Sequence, residues 1–186
     1  MLILLFGPTG TGKTELIRLL TSRTSIRPVI PDMTRPLRVG ESDKTSISDG
    51  LFARRQAEGY YILVNTMFGG NRYGTPRAVV VAALAAPEPS HIVDFPLEEL
   101  GKAQSLNGFK RGVVVMPPSE EELVNRLHAS KRVERVPAAV QQYADHLRAM
   151  DEGLPDLVEG IVVNADLEEA YSRLCTLIWP SSGKGV

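Results

Sequence analysis

The sequence predicts an α/β fold in three layers, a central parallel sheet covered by helices on both faces. Two observations carry that expectation. Short apolar runs alternate with longer segments of helical periodicity along the 186 residues, the pattern of strand–helix–strand units that set parallel strands side by side. The first run, Leu2-Ile3-Leu4-Leu5-Phe6, passes through Gly7-Pro8-Thr9-Gly10-Thr11-Gly12-Lys13-Thr14 into an amphipathic segment, Glu15 to Leu20. That is G-x-x-x-x-G-K-[ST] between a strand and a helix, a P-loop, in which backbone N–H groups and the helix N-terminus cradle a polyphosphate. Gly7, Gly10, Thr11 and Gly12 form the wrap, Lys13 reaches the β- and γ-phosphates, and the Thr14 hydroxyl is placed to ligate Mg²⁺. The chain is therefore expected to bind a nucleoside triphosphate.

Composition bounds the rest. A hydrophobic share of 43% with 23% charged residues is ordinary for a globular chain, and the length fits one domain with small insertions. No apolar run approaches the roughly 20 residues of a membrane span. Met1 to Phe6 lacks the basic flank and cleavage site of a leader, so none is expected. The single cysteine, Cys175, excludes an internal disulfide and suits a reducing cytoplasm. It lies within the apolar Leu174-Cys175-Thr176-Leu177-Ile178, where a buried structural thiol is expected. Residues 1–77 hold 11 Lys/Arg against 6 Asp/Glu, and residues 78–186 hold 10 against 16. The P-loop half is the positive one, which suits anionic substrates.

Taken in order, the first helix extends to about Ser22. The prolines of Arg27-Pro28-Val29-Ile30-Pro31 permit only an edge strand. Asp32 to Asp49 is polar and turn-rich, long enough for a functional loop. A short helix at about Leu51–Ala57 and a strand at Tyr60–Asn65 follow, then a turn at Gly69-Gly70-Asn71 within Met67–Gly74. Ala78–Ala86 reads as helix, His91–Phe95 as a short strand containing Asp94, and Leu97–Leu106 as helix. Gly112–Met116, continuous and β-branched, is a buried central strand stopped by Pro117-Pro118. Ser119 and Glu122 form a capping box for a helix through Leu127. The charged stretch His128–Arg135 interrupts before a helix from Pro137 to about Glu152. Gly160–Val163 is the last strand and Asp166–Trp179 the last helix. His91, His128 and His146 show neither ligand spacing nor a nucleophile partner.

Four further stretches carry chemistry. Thr34-Arg35-Pro36-Leu37-Arg38-Val39-Gly40-Glu41 sets two arginines on a constrained loop, able to converge on one phosphate. Asn71-Arg72-Tyr73-Gly74-Thr75 offers hydroxyls after a tight turn. Pro117-Pro118-Ser119 precedes a helix with Asn125-Arg126-Leu127, and Ile161-Val162-Val163-Asn164-Ala165-Asp166 precedes the last helix. In this order the set resembles the guanylate kinase family of P-loop nucleoside monophosphate kinases, from Leu2 to about Trp179. The resemblance implies a P-loop NTPase fold in three parts. These are a core (1–31, 76–127 and 137–180), an acceptor-binding subdomain near 32–75 and a short lid near 128–136. It implies that Arg35, Arg38 and Tyr73 hold the acceptor phosphate and that Thr75 contacts the acceptor base. It also implies that Asp94 orients Mg²⁺ and that Asn164 sits beside the donor adenine. Lid cations, with Lys131, Arg132 and Arg135 as candidates, face the transferring phosphoryl group. A further arginine of the family falls at Tyr143 or a neighbour.

The base-reading positions depart from the family in one direction. Its hydroxyl four residues before the first phosphate arginine is Pro31 here, and Ile47 stands where a tyrosine is expected. The glutamate that pairs with guanine falls in Ile62-Leu63-Val64, and the second acid of D-x-D is Pro96. Asp49 and Glu58 are the carboxylates considered as substitutes, and Tyr60-Tyr61 reads as strand packing with the option of stacking on a base. The expected activity is ATP- and Mg²⁺-dependent phosphoryl transfer to a nucleoside or deoxynucleoside monophosphate. The alternatives are a hydroxyl acceptor and a non-catalytic interaction module. Hydroxyl acceptors include a sugar phosphate or a 5-hydroxymethylpyrimidine in a nucleotide or DNA strand. A monomer or homodimer without membrane association is expected.

Overall fold

Strand β1 (Leu2–Phe6) is buried along all five residues, because strands pair with it on both sides and helices cover both faces. The computed structural model describes residues 1–38 and 40–180. After β1 come α1 (Lys13–Arg23), β2 (Arg27–Pro28), β3 (Asp32–Met33), β4 (Thr45–Ser46), α2 (Asp49–Ala57), β5 (Tyr61–Met67) and β6 (Asn71–Pro76). The second half holds α3 (Arg77–Ala85), β7 (His91–Asp94), α4 (Leu100–Ser105), β8 (Lys110–Met116), α5 (Glu120–Ala129), α6 (Val136–Glu152), β9 (Val158–Val163) and α7 (Leu167–Ile178).

The larger sheet runs β2-β7-β1-β8-β9, every pair parallel. Alternation splits β1 between two cores. Ile3 and Leu5 pack with Leu16 and Leu20 of α1 and with Leu174 and Ile178 of α7. Leu2, Leu4 and Phe6 pack with Val80 and Ala83 of α3 and Ala103 of α4. Tyr143 and Met150 of α6 lie against that second core. Cys175, half-buried, packs against the first. The chain order reverses at β1, whose neighbours β7 and β8 come from later in the sequence. The crevice at the carboxyl end of such a strand is where α/β sheets bind ligands, and the P-loop occupies it.

A second sheet, β4-β3-β6-β5, is built mainly by the antiparallel β5–β6 hairpin. The sequence predicts a loop over Asp32–Asp49 and a turn at Gly69-Gly70-Asn71 within Met67–Gly74. The structure places β3 and β4 in the first and begins β6 at Asn71. These strands gain their hydrogen bonds from distant partners, so their short polar sequences carry no strand periodicity. The two faces of the hairpin differ. Directly opposed residues share a face, so Leu63 with Thr75, Asn65 with Tyr73, and Met33 with Tyr73 line one side. Val64, Gly74, Arg72 and Asp32 lie on the other, which packs on α2 through Phe52. There Tyr61 stacks on Phe52 and donates to Asp32 Oδ2 at 2.7 Å.

Side chains cap α2, α5 and α7. Ser48 Oγ accepts from Leu51 N, and Ser119 Oγ from Glu122 N. Asp166 Oδ1 accepts from the N–H groups of Glu168 and Glu169. The Glu122 carboxylate takes Arg126 at 2.8 Å rather than reaching back to the cap, so the expected box is formed by its serine. Helix α5 continues to Ala129, two residues beyond expectation. No side chain caps α1, whose N-cap is Gly12. Its first N–H groups are left for an anion.

Candidate active site

The P-loop holds its shape through contacts that leave no room for side chains at two glycines. At Gly7 (φ 148°) a Cβ would stand 2.2 Å from Val115 O, and at Gly12 (φ 90°) it would stand 2.4 Å from Asn164 Nδ2. Thr11 is fully buried and its hydroxyl donates to Pro8 O at 3.1 Å. Lys13 is 7% exposed, folded back so that Nζ donates to Gly7 O at 2.7 Å and Pro8 O at 2.9 Å. Its ammonium also lies 3.7 Å from Asp94 Oδ1 at the end of β7. The Asp94 side chain remains half-exposed, facing solvent from the strand beside the loop. A hydroxyl (Thr14) and a carboxylate (Asp94) are hard oxygen donors of the kind Mg²⁺ takes while keeping several waters.

Asn164 is buried and braces the loop. Its Nδ2 donates to Thr11 O at 2.7 Å, its own N–H to Met116 O, and its carbonyl accepts from Arg126 Nη2 at 2.9 Å. A second brace escaped sequence reading. Gln142 of α6 accepts from Thr9 N–H at 2.9 Å, a contact across 133 residues without a motif to announce it. The neighbouring Tyr143 packs into the core, so Gln142 is the α6 residue that meets the P-loop.

On the second sheet, Arg35 is largely committed. Its Nε–H donates to Tyr73 OH at 2.9 Å and Nη1 to Pro36 O at 2.9 Å. Nη1 and Nη2 together fork onto Glu41 at 2.6 and 2.5 Å. Four of its five N–H donors are thereby used. The fork holds the Glu41 carboxyl down at about 2, aided by the Arg38 N–H at 3.0 Å. Arg35 and Glu41 thus form a fixed ion pair at the base of this loop, while the Arg38 side chain is exposed. Arg135 joins them from the turn before α6. Its side chain is 14% exposed. Burial disfavours its charge first, and the nearby charges of Arg38 and Arg132 next, with Tyr73 and Glu134, the latter 3.6 Å away, acting the opposite way. Arg38, Tyr73, Arg132 and Arg135 therefore share one electrostatic neighbourhood. Lys131 lies in the same turn, its backbone left-handed at φ 55°.

Thr75 is 8% exposed and directly faces Leu63, 5% exposed. By register, Leu63 rather than Val64 shares the face of Tyr73 and Thr75. Tyr61 lies on the opposite face, bonded to Asp32, and is unavailable to stack on a ligand. Asp49 accepts from Arg72 on that opposite face too, where the Arg72 guanidinium covers the Phe52 ring. His146 is buried, its Nδ1 paired with Gln142 O at 2.7 Å, and burial lowers its pKa. Among the described residues no cluster of His, Cys, Asp or Glu could by itself hold a metal.

A strand-end P-loop, an arginine clamp on a separate small sheet and a basic turn between them are the parts of a nucleotide kinase. The family model described as guanylate kinase matches residues 1–181. The chain belongs to the guanylate kinase family. It is 30% identical over 194 residues to the guanylate kinase of Bradyrhizobium diazoefficiens, covering 96% of this chain and 81% of that protein. It is 34% identical over 178 residues to that of Parasynechococcus marenigrum, covering 93% and 94%. The crystal structure of guanylate kinase from Anaplasma phagocytophilum shares the fold, with a TM-score of 0.71 at 22% identity over 96% of this chain and 84% of that one. The protein is an ATP-dependent nucleotide kinase, and the phosphate donor of guanylate kinases is ATP with Mg²⁺. No helix among the described residues is long and apolar enough to cross a membrane.

Proposed function

We propose that this guanylate kinase-family protein transfers the γ-phosphoryl group of ATP to the phosphate of GMP. The observation that carries the reading is the span of α6 and its leading turn. Arg135 lies in the electrostatic reach of Arg38 and Tyr73, and Gln142, seven positions on, accepts from Thr9 of the donor loop. At 1.5 Å per helical residue these two backbone positions lie about 10 Å apart, so one segment reaches both the donor and the acceptor side. The P-loop N–H groups and Lys13 hold the donor phosphates. Arg38 and Tyr73, set by Arg35 and Glu41, hold the acceptor phosphate in line. Arg132 and Arg135 neutralise charge on the equatorial oxygens during transfer, which in this chemistry is positioning and electrostatics without a protein nucleophile. Thr14 and Asp94 hold Mg²⁺, which supplies charge neutralisation between donor phosphates when bound. Asn164 lies where the last strand meets the P-loop and lines the donor-base side.

Residues 32–75 act as the acceptor-binding subdomain and 128–136 as the lid, both closing on the core 1–31, 76–127 and 137–180 to exclude water. The protein acts in the cytoplasm, in keeping with its one unpaired cysteine. The test is ADP release from ATP with each common ribo- and deoxyribonucleoside monophosphate. GMP-dependent turnover that falls at least about 1,000-fold in Lys13→Ala is expected. Turnover with no nucleotide, or an unaffected Lys13→Ala, would overturn the reading.

A further inference from the structure

Guanine presents two N–H donors, at N1 and N2, beside the O6 acceptor, and a carboxylate is the group that takes both donors at once. The family's glutamate for that task is replaced here by the apolar segment Ile62-Leu63-Val64, with Leu63 facing Thr75. A carboxylate from elsewhere must reach the same face if guanine is to be read. Asp49 is held by Arg72 on the far face of the hairpin. Glu58 ends α2 and is exposed.

Glu99 does reach it. It closes the 3₁₀ turn Leu97–Glu99, five residues after Asp94, and therefore comes from the core side of the cleft. Asn65 of β5 shares the face of Leu63, Tyr73 and Thr75. With its amide turned as its neighbours require, it donates to Glu99 Oε1 and to Val64 O, each at 3.1 Å. A hydrogen bond thus joins core and second sheet beside the base-contact threonine. Thr75 lies one same-face step from Asn65, about 7–8 Å in a sheet. The other Glu99 oxygen meets Lys102 at 2.6 Å. Lys102 is 59% exposed while Glu99 is 21% exposed, so the lysine compensates the carboxylate from the solvent side.

We propose that Glu99 reads guanine in this chain, a carboxylate relocated from the β5 position to the turn after β7. Asn65 is its positioning residue. Glu99 accepts from guanine N1–H and N2–H, and the Thr75 hydroxyl donates to O6. The acceptor pocket is then closed by a residue of the core instead of being complete within the second sheet, so the base is read once the two sheets approach. This assignment rests on the GMP reading above and would fall with it, but it can also fail alone.

Steady-state kinetics with GMP, IMP and AMP on the wild-type protein, Glu99→Gln and Asn65→Ala test it. IMP lacks the N2 amine, so the Glu99→Gln exchange, which turns an amide N–H₂ toward that amine, penalises GMP more than IMP. Glu99→Gln is expected to raise the KM for GMP about 10- to 100-fold, the loss of a charged hydrogen-bond acceptor. The GMP-to-IMP and GMP-to-AMP preferences collapse together, while the KM for ATP stays within about twofold. Asn65→Ala is expected to raise the GMP KM about 3- to 10-fold with kcat little changed. It also serves as the second arm should Glu99→Gln fold poorly. Wild-type preference for GMP with unaltered nucleotide ratios in both variants would overturn the Glu99 assignment and leave the kinase standing. A wild-type protein that phosphorylates other nucleotides without preferring GMP overturns it as well. No ADP release with any nucleotide would instead overturn the function itself.

Discussion

The Arg35–Glu41 fork anchors the loop proposed above as the acceptor-phosphate clamp. With four of its donors committed, Arg35 holds Tyr73 and the loop bearing Arg38 in place, and Glu41 is the counter-charge that makes this stable. The carboxyl is held at about 2 against an ordinary 4.5, first by the Arg35 hydrogen bonds. A depressed carboxyl contributes stability that is complete above about pH 4.5 and is lost as pH falls through about 2. After allowance for solvent screening this amounts to about 1–3 kcal/mol. Glu41→Gln should therefore lower the unfolding free energy by that amount at pH 7 and flatten its decline between pH 4.5 and 2. Urea melts at a series of pH values measure both. The same variant should raise the KM for the acceptor several-fold with the KM for ATP little changed, because the donor loop makes no contact with Glu41. Equal loss on both substrates would show that the clamp is not a separate unit.

At the scale of elements, legibility followed the range of the contacts. The P-loop was readable whole, since strand, glycines, Lys13 and helix are contiguous and Gly7, Gly10 and Gly12 each take a positive φ. Strands β1 and β8 and the cap Ser119 were readable for the same reason. Strand β6 was not. Its first residues fall in the Met67–Gly74 stretch that reads as a turn at Gly69-Gly70-Asn71, and its Gly74 answers a distant partner, the Tyr61 ring 2.7 Å from where a Cβ would stand. Gln142 and Glu99 were equally hidden, because their partners Thr9 and Asn65 lie on other elements and neither residue belongs to a motif. Asn164 was readable as part of a late turn, but its hydrogen bond to Thr11 O was not. That bond gives the next prediction. Asn164→Ala leaves a buried Thr11 carbonyl without its partner, at a cost of about 1–3 kcal/mol, and loosens the loop that holds the donor. Chemical denaturation and ATP titration should fall together, by about 1–3 kcal/mol and about tenfold. Gly12→Ala, which forces a Cβ to 2.4 Å from the same amide at a left-handed backbone, should be worse on both counts. Loss of stability with ATP affinity intact would mean that the loop holds its form without this brace.

The whole molecule converges three guanidinium groups, Arg38, Arg132 and Arg135, from the second sheet and the turn before α6. Glu134, 3.6 Å from Arg135, offsets part of the mutual repulsion of these like charges, and burial of Arg135 makes what remains more costly because screening is weaker there. An acceptor phosphate and a transferring phosphoryl group between them reverse the sign. Substrate anions should therefore stabilise the junction of core and second sheet, and closing over them excludes water. Thermal melts follow this directly. A ligand at 100 times its Kd adds about 2.7 kcal/mol, and each kcal/mol moves Tm by about 2–4 °C in a chain of this size. GMP is expected to raise Tm by about 5–10 °C, and ADP with GMP by more than either alone. Arg132→Gln discriminates between repulsion and ordinary packing. Removing one of the converging charges should raise the Tm of the free protein slightly, while the gain on adding GMP with ADP shrinks. A variant less stable than the wild type without nucleotides, and with an undiminished gain on binding, would show that Arg132 packs the turn and takes no part in closure.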